Sequence, residues 1–160
     1  MYDIAVIGSG PAGLSSAVQA RVRNKSVLVV GGDDRDNPLY KTPRIENYLG
    51  FPQASGQELL DRFHAHAREM GAERKEGRVL NIMPMGDTFY LSIGSEMEQA
   101  RAIILATGVV WANKYPGEAE YLGRGVSYCA TCDGMLYRGK EVVVVGKAAV
   151  APQEANYLQE

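Results

Sequence analysis

Along the first third of the chain, short unbroken apolar runs are separated by glycine-rich and polar stretches. Ile4 to Ile7 is one such run; without polar alternation it predicts a parallel strand buried on both faces. A glycine-rich turn follows. The pattern then predicts a helix from Pro11 to Arg23, with Pro11 in a first turn where a missing N–H costs nothing. Lys25 to Val30 supplies the next apolar strand. Strand, helix and strand together make one βαβ unit of about thirty residues.

From Gly31 to Gly50 the pattern loses any period, while Asp, Asn, Gly and Pro recur. Loops of this length in compact domains are usually functional or disordered. Helical spacing returns with Leu59, Leu60, Phe63, Ala67 and Met70, preceded by the capping box Ser55-Gly56-Gln57-Glu58 and closed by Gly71. Arg78 to Met83 and Thr88 to Ile93 read as two strands joined through Pro84-Met85-Gly86-Asp87. Ala102 to Leu105 reads as another, ending in Ala106-Thr107-Gly108. Turn residues crowd Lys114-Tyr115-Pro116-Gly117-Glu118, which sets a domain boundary near residue 112. Beyond it, Arg138-Gly139-Lys140 turns into a second buried strand, Glu141 to Val145, and Pro152 to Glu160 begins a helix. A strand, a loop and one helix do not bury a sheet. The expectation is an α/β chain of two Rossmann-like nucleotide-binding domains, 1–112 and 113–160, the second incomplete.

The loop Gly8-Ser9-Gly10-Pro11-Ala12-Gly13 has the context that gives a glycine fingerprint meaning, with a strand before it, a helix after it and a strand again. Gly8 permits a tight turn, Gly10 lets the backbone approach a pyrophosphate, and Gly13 lets helix and strand pack closely. The helix N-terminus adds free N–H groups and partial positive charge. The alternative is a tight strand-to-helix turn without a ligand. The second strand ends in Gly31-Gly32, where an acidic ribose partner is usual, and Asp33 and Asp34 come slightly late. The loop therefore points to a dinucleotide without specifying which.

Composition narrows the class. The 160 residues are 46% hydrophobic with a net charge of −2, as in a folded soluble domain. With no basic run and a pI near 5.8, nothing suggests a nucleic-acid partner. No apolar stretch is long enough to span a membrane. The N-terminus runs directly into a strand, which leaves no signal peptide. Cysteine usage fits a reducing compartment, so the expectation is a cytoplasmic protein.

The only two cysteines form Cys129-Ala130-Thr131-Cys132, followed by Asp133-Gly134. A zinc half-site would need two further ligands, and no second cysteine pair exists. His64 and His66 are two apart on a helix, point to different sides and read as solvated helix-face residues rather than a metal pair. An inert pair of buried thiols would leave Asp133 unexplained, unless Asp-Gly is simply a favourable turn. The redox reading uses every residue. One thiol of depressed pKa attacks a partner disulfide, the second resolves the mixed disulfide, and a neighbouring carboxyl group exchanges the protons. A dinucleotide loop and a dithiol in one chain suggest that electrons pass between them.

Taken together, these residues resemble the low-molecular-weight thioredoxin reductases, a branch of the flavin disulfide reductases. The resemblance runs through Gly8-Ser9-Gly10-Pro11-Ala12-Gly13, Ile45-Glu46-Asn47-Tyr48-Leu49-Gly50-Phe51-Pro52, Ala106-Thr107-Gly108 and Gly125-Val126-Ser127-Tyr128-Cys129-Ala130-Thr131-Cys132-Asp133-Gly134. It implies FAD on the first domain, with pyrophosphate over Gly10 to Gly13 and further contacts near Asn47 and at Ala106, Thr107 and Gly108. It assigns Cys132 to the flavin side, Cys129 to attack on thioredoxin and Asp133 to acid–base work. It also implies a homodimer, and a domain rotation that offers the dithiol alternately to flavin and to thioredoxin.

The chain departs from the family pattern in three places. Asp36-Asn37-Pro38-Leu39-Tyr40-Lys41 replaces a glycine-rich segment, making Tyr40 a candidate stacking ring. The family's C-terminal segment, which completes the flavin domain, is not in the sequence. The second glycine fingerprint is degraded to Gly146-Lys147-Ala148-Ala149-Val150-Ala151-Pro152. Ala148 stands where a glycine would admit a pyrophosphate. Pro152 lies six residues after Gly146, whereas Pro11 lies three after Gly8, so the second helix is expected to start later by up to roughly one turn.

Loss of that fingerprint resembles the ferredoxin-dependent flavin thioredoxin reductases and favours reduced ferredoxin over NADPH as donor. A plant-type ferredoxin near −400 mV and a thioredoxin near −270 mV differ by about 130 mV, or about 6 kcal/mol for two electrons. The rival readings are the same chemistry driven by NADPH through a non-standard loop, and a non-catalytic redox sensor or binding module that retains the reductase scaffold.

Overall fold

The computed structural model describes residues 1–109, 115–146 and 150–159. The chain forms two compact units, one of Met1–Pro43 with Ser55–Ala112 and the other of Arg44–Ala54 with Asn113–Glu160.

The first unit contains strands β1 (Tyr2–Ile7), β2 (Val27–Gly31), β3 (Glu73–Glu76), β4 (Val79–Met85), β5 (Thr88–Ile93) and β6 (Glu96–Leu105), with helices α1 (Pro11–Val22) and α2 (Gly56–Glu69). They make one sheet in the order β3-β2-β1-β6-β5-β4. β1 runs parallel to β2 and β6, and β2 runs parallel to β3; β4, β5 and β6 form an antiparallel meander.

Side chains of a strand alternate between faces, and here both faces are covered. Val6, Val27 and Val29 pack under Leu14, Ala17 and Ala20 of α1 and Leu60 and Ala67 of α2. Ala5, Ile7, Leu28 and Val30 pack with Leu91, Ile93 and Ala100 of the meander. This double burial is why the runs carry no polar alternation.

β6 is longer than the expected Ala102–Leu105 and joins the two parts of the sheet, pairing with β5 on one edge and β1 on the other. Ala100, fully buried, pairs with Phe89 of β5 and with Tyr2 of β1. Up to that residue the strand belongs to the meander; after it, to the parallel sheet. The added residues, Glu96-Met97-Glu98-Gln99-Ala100-Arg101, are mainly polar and give no apolar signal. Lys75 of β3 ion-pairs with Glu96 at 2.6 Å and with Glu98, and Tyr2 donates to Glu73 at 2.7 Å. β3 itself, Glu73-Arg74-Lys75-Glu76, was not expected as a strand. Charged residues suit an edge that must not recruit another chain.

Both helix ends of α2 follow local chemistry. The Ser55 hydroxyl accepts the Glu58 N–H at 3.1 Å, and Gly71 takes a positive φ of 85° just past the last turn. Arg21 of α1 donates to the Met70 carbonyl at 2.9 Å, tying the two helix ends together.

The second unit holds α3 (Glu118–Tyr121), α4 (Ala130–Asp133), a 3₁₀ turn over Gly134–Tyr137 and α5 (Val150–Tyr157). The segment Arg44–Ala54 is closed by an antiparallel bridge between Ile45 and Ala54. The buried strand expected at Glu141–Val145 is not formed. No described residue pairs with this segment, and Val143 is 88% exposed. Apolar β-branched residues favour a strand, but a ladder needs a partner.

Pro152 lies in α5, which is described from Val150 on. The delayed start expected for this helix after Gly146 falls outside the described residues. The expectations at Ala148, at Lys114 and at the boundary near residue 112 fall outside the described residues.

Candidate active site

The glycine loop is built by close backbone approaches. Gly8 has φ of 118°, and a methyl group there would lie 2.0 Å from the Ala106 carbonyl oxygen. Ala106 in turn donates to the Ile7 carbonyl at 2.8 Å, so the end of β6 is held against the loop. A methyl group on Gly13 would meet the Gly8 carbonyl at 1.9 Å and Val6 at 3.3 Å. Ser9 is buried, its hydroxyl pressed onto Gly31.

Gly10 caps α1 with extended backbone and no side-chain hydrogen bond, and Pro11 and Ala12 are exposed beside it. The first intrahelical bond is Leu14 N–H to Gly10 O at 2.9 Å. The N–H groups of the first turn therefore remain available to an anion. Thr107 and Gly108 are exposed after β6. Bare backbone, unspent donors and a helix N-terminus fit a pyrophosphate.

Around this loop, Asn37 was not foreseen. A methyl group on Gly10 would approach its amide nitrogen to 3.2 Å. Tyr40 is half-buried against the core under α1 and α2. The two late acids after β2 are already engaged. Asp33 caps a short 3₁₀ turn and binds Arg35 at 2.6 Å, and this hydrogen bonding holds its carboxyl below the usual range. Asp34 receives Arg74 at 2.8 Å and His64 at 3.1 Å. His64 is thus not the solvated helix-face residue expected from its position; its side chain is 14% exposed. Burial, followed by the Arg74 charge, pushes it below the ordinary histidine value.

In the second unit, Cys129 and Cys132 are joined as a disulfide. Cys129 is the residue before α4, and its Sγ accepts the Cys132 N–H at 3.2 Å. Cys129 is half-buried and Cys132 exposed. Asn47, on the segment Arg44–Ala54, donates through Nδ2 to the Thr131 carbonyl at 3.3 Å, between the two cysteines.

Asp133 ends α4, and its N–H donates to the Cys129 carbonyl at 3.1 Å. Its Oδ2 accepts the Ser127 hydroxyl at 2.6 Å, and Ser127 Oγ accepts the Cys129 N–H at 3.1 Å. Ser127 carries no sequence signal of its own; it precedes α4, and six positions from Asp133 it shares no helical period with it.

The second unit also holds a buried carboxylate that the sequence does not signal. Glu118 is 4% exposed and accepts the Tyr115 N–H at 2.9 Å. Its hydrogen bond with Tyr128, more than burial or charge, pushes the Tyr128 phenol up to about 12. The residue preceding Cys129 is therefore anchored through its side chain. Among the described residues there is no group of three or more potential metal ligands and no helix long and apolar enough to cross a membrane.

Comparison with known proteins agrees with this arrangement. The chain is 39% identical to a thioredoxin reductase of Bacillus subtilis over 159 residues, covering 99% of this chain and 50% of the relative. It thus spans about half the length of the relatives it matches. Among solved structures it resembles the thioredoxin reductase from Streptococcus pyogenes, with a TM-score of 0.88, 37% identity, and 99% and 52% of the two chains covered. It also resembles a ferredoxin-flavin thioredoxin reductase from Clostridium acetobutylicum, with a TM-score of 0.64, 50% identity, and 98% and 55% covered. The family model for pyridine nucleotide-disulphide oxidoreductases matches residues 2–160, and the chain belongs to that family.

Proposed function

We propose that this protein is a FAD-dependent disulfide oxidoreductase that reduces thioredoxin through Cys129 and Cys132, with reduced ferredoxin as electron donor. The observation that carries the reading is the closed Cys129–Cys132 disulfide with Asp133 hydrogen-bonded beside it, in a chain whose other unit presents a bare glycine loop.

In this reading Gly8, Ser9, Gly10, Pro11, Ala12 and Gly13 hold the pyrophosphate, with Ala106, Thr107 and Gly108 near the rest of the cofactor and Tyr40 as a stacking ring. Bound FAD, once reduced by the electron donor, would supply the two electrons that with two protons open the disulfide to the dithiol. Cys129 then gives its proton to Asp133 and attacks the partner disulfide. One partner sulfur leaves and takes that proton. Cys132 next gives its proton to Asp133 and attacks Cys129 Sγ, reforming the intramolecular disulfide. The second partner sulfur leaves and is protonated in turn, so both electrons and both protons come from the dithiol.

The donor is argued from likeness and from chemistry. Identity to the Clostridium acetobutylicum ferredoxin-flavin enzyme is 50%, against 37% for the Streptococcus pyogenes thioredoxin reductase. A flavin also accepts single electrons, as an iron–sulfur donor requires. NADPH is the second reading, favoured by the match of residues 2–160 to the pyridine nucleotide-disulphide oxidoreductase family model.

Anaerobic titration separates the two. Rapid bleaching of the flavin spectrum by reduced ferredoxin and slow bleaching by NADPH is the expected result. Rapid bleaching by NADPH would remove the ferredoxin reading. A colourless folded protein without disulfide exchange would leave only the redox-sensor alternative.

A further inference from the structure

We infer that Ser127 is a positioning residue that sets the carboxyl group of Asp133 for proton exchange with the dithiol; this rests on the acid–base role proposed above for Asp133. The backbone of Asp133 is placed by α4, through its N–H to the Cys129 carbonyl at 3.1 Å. That bond leaves both side-chain torsions free. Ser127 removes the freedom. Its hydroxyl proton goes to Asp133 Oδ2 at 2.6 Å, within the range of a charge-assisted O–H···O⁻ bond. The Cys129 carbonyl, at 3.3 Å, is the weaker competitor for that proton.

The remaining capacity of the hydroxyl points the same way. Ser127 Oγ accepts the N–H of Cys129 at 3.1 Å, so one atom touches both the acid and the backbone of the attacking cysteine. Oδ1 of Asp133 has no partner among the described residues. The carboxyl group is therefore held by one oxygen and has the other free to exchange a proton. A hydroxyl suits this task because it donates and accepts at one atom; alanine and glycine do neither, whereas threonine keeps both.

The test is a single-turnover reaction of the pre-reduced protein with oxidised thioredoxin, followed over a range of pH. Ser127→Ala is expected to slow the reaction about tenfold, the worth of one hydrogen bond to a charged group, and to change the pH profile. Ser127→Thr is expected to restore both to within about twofold, since the same bond can form. Asp133→Asn is expected to slow the step about a hundredfold, and Ser127→Ala added to it should do nothing more.

Additive effects of the two substitutions, or an Ala variant with a wild-type rate and pH profile, would overturn the inference about Ser127 alone. If Asp133→Asn itself reacts at the wild-type rate across the pH range, the acid–base reading fails beneath it. If Ser127→Ala and Ser127→Gly both fail to fold while Ser127→Thr folds, the hydroxyl is structural and the inference is again overturned.

Discussion

Single atoms decide the character of the glycine loop. A methyl group at Gly13 would sit 1.9 Å from the Gly8 carbonyl oxygen, which is backbone and not a flexible side-chain end that could yield. Gly13→Ala is expected to destabilise the first unit by about 3 kcal/mol, at the upper end for overpacking, read as a lower denaturant midpoint with an unchanged slope. The need for a small residue there is legible from the spacing of the three glycines. The approach of Asn37 to Gly10 is not, since a residue twenty-seven positions away is brought there only by the fold. The same holds for Ser127 and Asp133. Their residue types are suggestive, but the turn at Cys129 makes them a pair.

Elements were readable to the extent that their signals are local. The capping box before α2 is visible because the cap and the N–H it accepts lie within one turn. Ser55→Ala is expected to cost about 1 kcal/mol of stability, measured by thermal or denaturant unfolding, while Ser55→Asp should retain most of it. β3 and the first half of β6 escaped notice because their residues are charged or exposed. They are strands through pairing with β2 and β5, not through apolar content. The opposite error occurred at Glu141–Val145, where four valines predicted a strand that no described residue pairs.

At the scale of the molecule, polar contacts join elements distant in sequence. His64 of α2 meets Asp34 after β2, which also binds Arg74 of β3. Because burial and Arg74 depress His64, the folded state favours the neutral ring more than the unfolded chain does. Well above the unfolded value of about 6.5 both states are neutral, and the contribution is fully present. As pH falls through that value the unfolded chain takes up the proton first, and stability is lost. The denaturant midpoint is therefore expected to fall between about pH 7.5 and 5.5, and His64→Gln should flatten this dependence.

By itself the sequence determined the βαβ unit, the glycine loop at its first turn, the cap of α2 and the close spacing of the only two cysteines. Each depends on residues within a few positions of one another, where propensity and steric fit act directly. The tertiary structure alone decided which polar segments became strands, how β6 passes from meander to parallel sheet at Ala100, and which groups surround the dithiol. Ladders and buried polar contacts form between atoms that chain closure brings together, and the stability of each depends on a partner that local pattern does not specify.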